Sequence, residues 1–184
     1  MKINTFYKIK YPTEHVNINL ESDSELFIDP LIGNNRSNPF AKKIYNRSKI
    51  FLEHLNTNYI KTGNRKKGIQ FLSNLREANE YHLGYSNVNK GKGIGLIKAE
   101  EIYDALYNNK FAKAGLSITN EADNVLLLVK GIGADNMSDI LANIARDIFA
   151  DFTYKQCRKY NVSVSSTKIK FYNENTGVWE KRVV

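Results

Sequence analysis

Asp29, Asp135 and Asp139 are the acids whose spacing could hold a divalent cation. Asp135 and Asp139 stand four residues apart in GIGADNMSDILAN (131–143), where a glycine turn meets the start of a helical pattern. Residues four apart share a helix face, and the N–H groups of a first helical turn point outward toward a ligand. Asp29 closes the apolar run LFIDP (26–30), where a carboxylate at a strand end is placed to join them around Mg²⁺. The same acids also read without a metal, Asp135 as the helix N-cap and Asp139 as a first-turn charge complementing the dipole. Glu80 and His82 form a Glu-x-His pair in NEYHLGYS (79–86). On a strand that spacing puts both side chains on one face, fit for proton transfer or metal binding.

Phosphate chemistry is suggested by a second set of residues. KGKGIG (90–95) combines the ammonium groups of Lys90 and Lys92 with the bare backbone of Gly93, and Gly131 and Gly133 repeat that backbone in a second KGIG at 130–133. Neither a Walker A loop nor a GxGxxG with its downstream acid is present, and a solvated hairpin loop is the other reading of 90–95. An apolar-Gly-Ile-Gly turn before a helix also resembles the hairpin of helix-hairpin-helix DNA-binding modules. Lys61, Arg65, Lys66 and Lys67 crowd the basic loop KTGNRKK (61–67). Together these cations predict a positive face that binds nucleic acid without sequence preference.

The elements that must position these groups follow from hydrophobic periodicity. Alternation predicts an edge strand over 3–9, a strand over 15–20 and a short buried strand over 25–28. A period near 3.6 predicts helices over 40–59, 68–76, 97–108 and 137–160, the last with Ile140, Leu141, Ile144, Ile148 and Phe152 on one face. The unbroken apolar run 125–129 predicts a buried strand before the glycine turn. Alternation over 162–171, the turn NENTG (173–177) and 178–184 predict a terminal hairpin.

Length and composition bound the rest. The 184 residues suit one domain, 1–184, with a real core, and 42% hydrophobic with 25% charged residues exclude a disordered chain. No apolar run is long enough to span a bilayer, so no membrane partner is expected. A single cysteine, Cys157, excludes a disulfide framework and any Cys-based zinc site, which points to the cytoplasm. A net charge of +8 favours polyanionic partners, nucleic acid first. The chain ends inside an apparent strand, so either a second subunit or a downstream segment is expected at that edge: a homo-oligomer or partner subunit in the first case, the N-terminal part of a longer protein in the second.

With LFIDP, NEYHLGYS and GIGADNMSDILANI (131–144), the chain resembles a group of uncharacterised bacterial proteins encoded beside phage-defence or restriction-type genes. That resemblance is compatible with a restriction-endonuclease-like metal nuclease of the PD-(D/E)xK kind. Such a site needs an acid two residues before a lysine; no Asp or Glu here has one, and Glu80-x-His82 would need histidine in its place. The sequence therefore predicts an α+β fold, a mixed or antiparallel sheet from both chain ends with three main helices packed on it. Its leading function is a Mg²⁺-dependent nucleic-acid-cleaving enzyme of a bacterial defence system. There Asp29, Asp135 and Asp139 hold the metal, Glu80 or His82 handles protons, and the lysines and glycines hold phosphate. The alternative is a non-catalytic nucleic-acid-binding or partner subunit.

Overall fold

The longest helix begins where its sequence tells it to. Asn38 accepts hydrogen bonds from the Phe40 and Ala41 amides (2.9 and 3.2 Å), Pro39 takes the first helical position, and the chain stays helical through Leu55. This computed structural model describes residues 1–10, 12–29, 37–76, 78–84, 94–109 and 132–184. In chain order its helices are α1 (Ile3–Phe6), α2 (Pro39–Leu55), α3 (Arg65–Leu72), α4 (Leu96–Asn108), α5 (Ala134–Ile144) and α6 (Arg146–Lys159), followed by strands β1 (Lys168–Asn173) and β2 (Val178–Val183). The fold is α+β. No helix among the described residues is long and apolar enough to cross a membrane.

The core joins distant parts of the chain. Phe51 and Leu55 of α2, Phe71 and Leu72 of α3, Ile102 and Leu106 of α4 and Met137, Leu141 and Ile144 of α5 are buried together with Tyr172 of β1. Phe51 and Phe71 stack at 4.8 Å, and Tyr172 meets Phe51 edge-on at 5.0 Å. Trp179 packs against the same cluster, and its indole N–H donates to the Phe71 carbonyl (3.0 Å). Beside this cluster the buried Arg47 ties α2 to the far end of the chain. Its guanidinium reaches Asp147 (2.9 Å), Glu174 (2.5 Å) and the Tyr172 carbonyl (2.9 Å).

The helices match the 3.6-residue pattern, with instructive differences at their ends. Helix α2 runs into a wider turn over Asn56–Ile60, where the Lys61 amide bonds the Asn56 carbonyl (2.9 Å). Helix α3 starts before the expected residue 68 because the Asn64 side chain accepts from the Lys67 amide. It stops at Leu72, where the Asn74 side chain takes the carbonyls of Gln70 and Phe71 (2.9 and 3.1 Å). The single helix expected over 137–160 is divided at Ala145 (φ −103°, ψ 18°). Asn143, just before the break, donates to the Asp139 carbonyl (2.8 Å) and to Arg76. A side chain drawing on the i−4 carbonyl is an ordinary cause of a helix bend.

The amino-terminal strands are corrected. Within the expected strand 3–9, Ile3–Phe6 form the short helix α1 and Lys8 beyond it is left-handed (φ 55°), with Asn4 buried and holding His15 Nε2 at 2.8 Å. Residues 15–20 make an isolated bridge, Lys2 to Asn19, and 25–28 follow another, Ser24 to Leu83. Asparagine side chains take the backbone groups a ladder would need: Asn17 accepts from the Asn4 amide and Asn19 from the Glu21 amide. The expected sheet from both chain ends is therefore, among the described residues, a two-stranded antiparallel ribbon, β1 paired with β2. Its register sets Tyr172 opposite Trp179 and Lys170 opposite Lys181. Gly177 closes the turn with φ 70°, and a Cβ there would stand 2.4 Å from the His54 ring. The run 125–129 lies outside the described residues.

Candidate nucleic-acid interface

Among the described residues, the acids singled out by spacing do not come together as one metal-holding group. Gly133 is the N-cap residue of α5, so Asp135 sits inside the first turn instead of capping it. Asp135 Oδ1 lies 2.9 Å, and Asp23 Oδ2 3.4 Å, from where a Cβ on Gly84 would stand; glycine is required there both for this approach and for φ 131°. One helical turn on, Asp139 Oδ1 accepts the Ala78 amide at 3.2 Å. Asp29 is exposed and follows Ile28, whose amide donates to the Ser138 hydroxyl of α5 (3.1 Å). Glu80 is paired with Arg146 at 2.8 Å.

Glu80 and His82 do not share a strand face. Asn79–Tyr81 is a 3₁₀ turn and His82 is left-handed (φ 51°), its carbonyl accepting from the Ser24 amide (2.8 Å). The two-residue spacing that aligns side chains on a strand has no such meaning in that backbone. Among the described residues, no three His, Cys, Asp or Glu side chains come together as a group that could hold a metal ion. Lys90, Lys92, Gly93 and Gly131 lie outside the described residues.

The cations converge more than the acids do. Lys61 is exposed in the turn after α2, and Arg65, Lys66 and Lys67 open α3 with exposed side chains. Arg65 is held by a two-point bridge to Asp104 of α4, Nε to Oδ1 and Nη2 to Oδ2, both 2.9 Å. Hydrogen bonding to Arg65 keeps the Asp104 carboxyl below the usual range. Lys67 and Gln70, three apart, share the outward face of α3, and Asn74 follows just past its end. Asn74 Oδ1 accepts the Lys170 ammonium, and Lys181 stands opposite Lys170 across the ribbon. Burial pushes the Lys170 ammonium below the usual lysine range, and Arg76 and Lys181 beside it push the same way.

Arg76, Lys168, Lys170 and Lys181 were missed because no cluster of lysines marks them in sequence. Two signals could have found them. The stretches 54–76 and 152–173 contain no acidic residue, and counting outward from the NENTG turn pairs Lys170 with Lys181. No curated protein and no solved structure matches the chain. One family match covers residues 8–184, which is nearly the whole chain. The chain belongs to the family described as Domain of unknown function (DUF8370).

Proposed function

We propose that the chain is a nucleic-acid-binding module that grips the phosphodiester backbone along α3 and the ribbon. The observation that carries this reading is the Lys170–Lys181–Arg76 cluster. Folding brings these cations together across two elements, with a neutral amide, Asn74, as the acceptor for Lys170. Like charges directly opposite on a ribbon destabilise it, and a phosphate between them turns that repulsion into attraction. Lys66, Lys67 and Lys61 extend the cationic line to the other end of α3.

Cleavage, the first reading of the acids, has less behind it, because Asp139 braces the Ala78 amide and Glu80 pairs with Arg146. Fluorescence anisotropy with labelled duplex and single strands tests the binding reading. Affinity should fall steeply with salt, since each neutralised phosphate releases counterions. Replacing Lys170 and Lys181 together by glutamine should lower the salt slope by about 1–2 and weaken all sequences alike. Affinity that is indifferent to salt, or to the double substitution, overturns the reading. The same probes incubated with Mg²⁺, Mn²⁺ or EDTA report any cleavage.

A further inference from the structure

The opposite face of the ribbon looks onto different chemistry. Arg182, paired across the strands with Ile169, turns toward α6 and bonds the Asp147 carbonyl (3.2 Å) and Asp151 (2.6 Å). With Arg146 of α6 it lines a groove of about 540 Å³, whose other walls include Tyr154, Ser165, Thr167 and Ile169. A second cavity of about 220 Å³ lies between α6 and the amino-terminal segment, walled by Ile3, Ile9, Val16, Ile18, Phe152 and Val162. The two share Glu80, Tyr81 and Thr153 as a common wall. One end of this trench is mostly apolar and the other carries two guanidiniums.

We infer that this trench binds a small amphiphilic carboxylate, its hydrocarbon tail beside Phe152 and Ile18 and its head group between Arg146 and Arg182. Arginine has five N–H donors, and neither residue uses all of them. Arg146 bonds Glu80 and the Tyr81 hydroxyl, Arg182 bonds the Asp147 carbonyl and Asp151 through Nη2 alone, and the Nε of each is buried without a hydrogen-bond partner. A carboxylate takes such donors in pairs. Glu80 and Asp151, the acids that now hold the two guanidiniums, have side chains 52% and 62% exposed, so solvent screens them and they can yield to a ligand. Tyr81, at the junction, is pushed above the usual tyrosine range by burial and stays a neutral hydroxyl. The combined space falls in the range of small-molecule sites, and the division into an apolar and a cationic end selects a molecule divided the same way.

Cys157 also lines the apolar cavity and supplies the readout. The whole chain is titrated with linear carboxylates of increasing length and with the matching alcohols, following protection of Cys157 from a maleimide and the heat of binding. Affinity should rise roughly fourfold per methylene until the cavity is filled, then level off. Octanoate should bind at least tenfold more tightly than octanol. Arg146→Gln and Arg182→Gln should each erase that preference while leaving octanol unchanged, and Glu80→Gln, which releases Arg146, should tighten octanoate several-fold. Octanoate that leaves Cys157 unprotected, or that binds no better than octanol, overturns the inference. Equal octanoate affinity in wild type and both arginine variants also overturns it. None of these readouts involves nucleic acid, so the outcome is independent of the lysine face.

Discussion

His54 shows how a single half-buried ring couples this fold to pH. It stacks on Phe71 at 5.4 Å and lies under Gly177, and burial lowers its pKa below the usual histidine range. A histidine with a depressed folded-state pKa binds its proton more readily when unfolded. Its contribution is therefore complete above the unfolded value, about 6.5, and is lost progressively as pH falls toward the folded value. Urea midpoints should drop between about pH 7.5 and pH 5, and His54→Phe, which keeps a ring on Phe71, should flatten the histidine part of that dependence. A midpoint that rises on acidification would contradict the burial of His54. Asp139 is the other residue whose role is decided by one contact. As a brace for the Ala78 amide, Asp139→Asn should cost about 1 kcal/mol in stability and leave nucleic-acid affinity equal or higher.

At the scale of elements, α2, α6 and the ribbon depend on Arg47. Its guanidinium is buried with Asp147 and reaches Glu174 at the turn. Removing one partner of a buried pair leaves an uncompensated charge, so Arg47→Met should destabilise by about 3–5 kcal/mol. The denaturant midpoint measures it, and a loss under about 1 kcal/mol would show that solvent reaches the pair. These elements were unequally legible in the sequence. Helices α2, α4 and α5 show in the spacing of Ile44, Phe51 and Leu55, of Ile102 and Leu106, and of Ile140, Leu141 and Ile144, because a helix buries a stripe that repeats every 3.6 residues. The terminal hairpin shows in its turn residues. The first 28 residues do not, because alternation is necessary for a half-buried strand but says nothing of a partner strand, and Asn4, Asn17 and Asn19 supply side-chain bonds in place of a ladder. Arg47 was illegible as well: an arginine amid helix-surface lysines carries no local mark of a partner 100 residues away.

Across the whole molecule, segments near both ends of the sequence are fastened to helices far from them along the chain. Glu14 holds Lys159 (2.7 Å) and Gln156 (2.9 Å), His15 meets the Tyr160 ring edge-on at 5.6 Å, and Trp179 closes the aromatic cluster of α2 and α3. Unfolding should therefore be a single cooperative transition, coincident by tryptophan fluorescence and far-ultraviolet circular dichroism. Deleting 162–184 should abolish it, since Phe51 and Phe71 would lose Tyr172 and Trp179 together. A deletion variant that still melts cooperatively would place the folding unit in the helices alone. Of the proposed binding face, Lys61, Lys66 and Lys67 were visible as a basic loop. Their continuation onto the ribbon was not, because strand register is a property of pairing rather than of neighbours in sequence.

The ribbon has a consequence for the behaviour of the protein in solution. Among the described residues it is two strands wide; β1 runs beside α5 and α6, and the outer edge of β2 is the one to which another chain could be stitched. Lys168, Lys170 and Lys181 crowd one face with positive charge, and two such ribbons brought edge to edge would set lysine against lysine. On the proposed binding reading, the lysines that would draw a polyanion to the ribbon would also guard it against self-association. Neutralising them, whether by a phosphate chain or by mutation, lowers that guard, and molecules aligned along one strand of nucleic acid would meet with their edges unprotected.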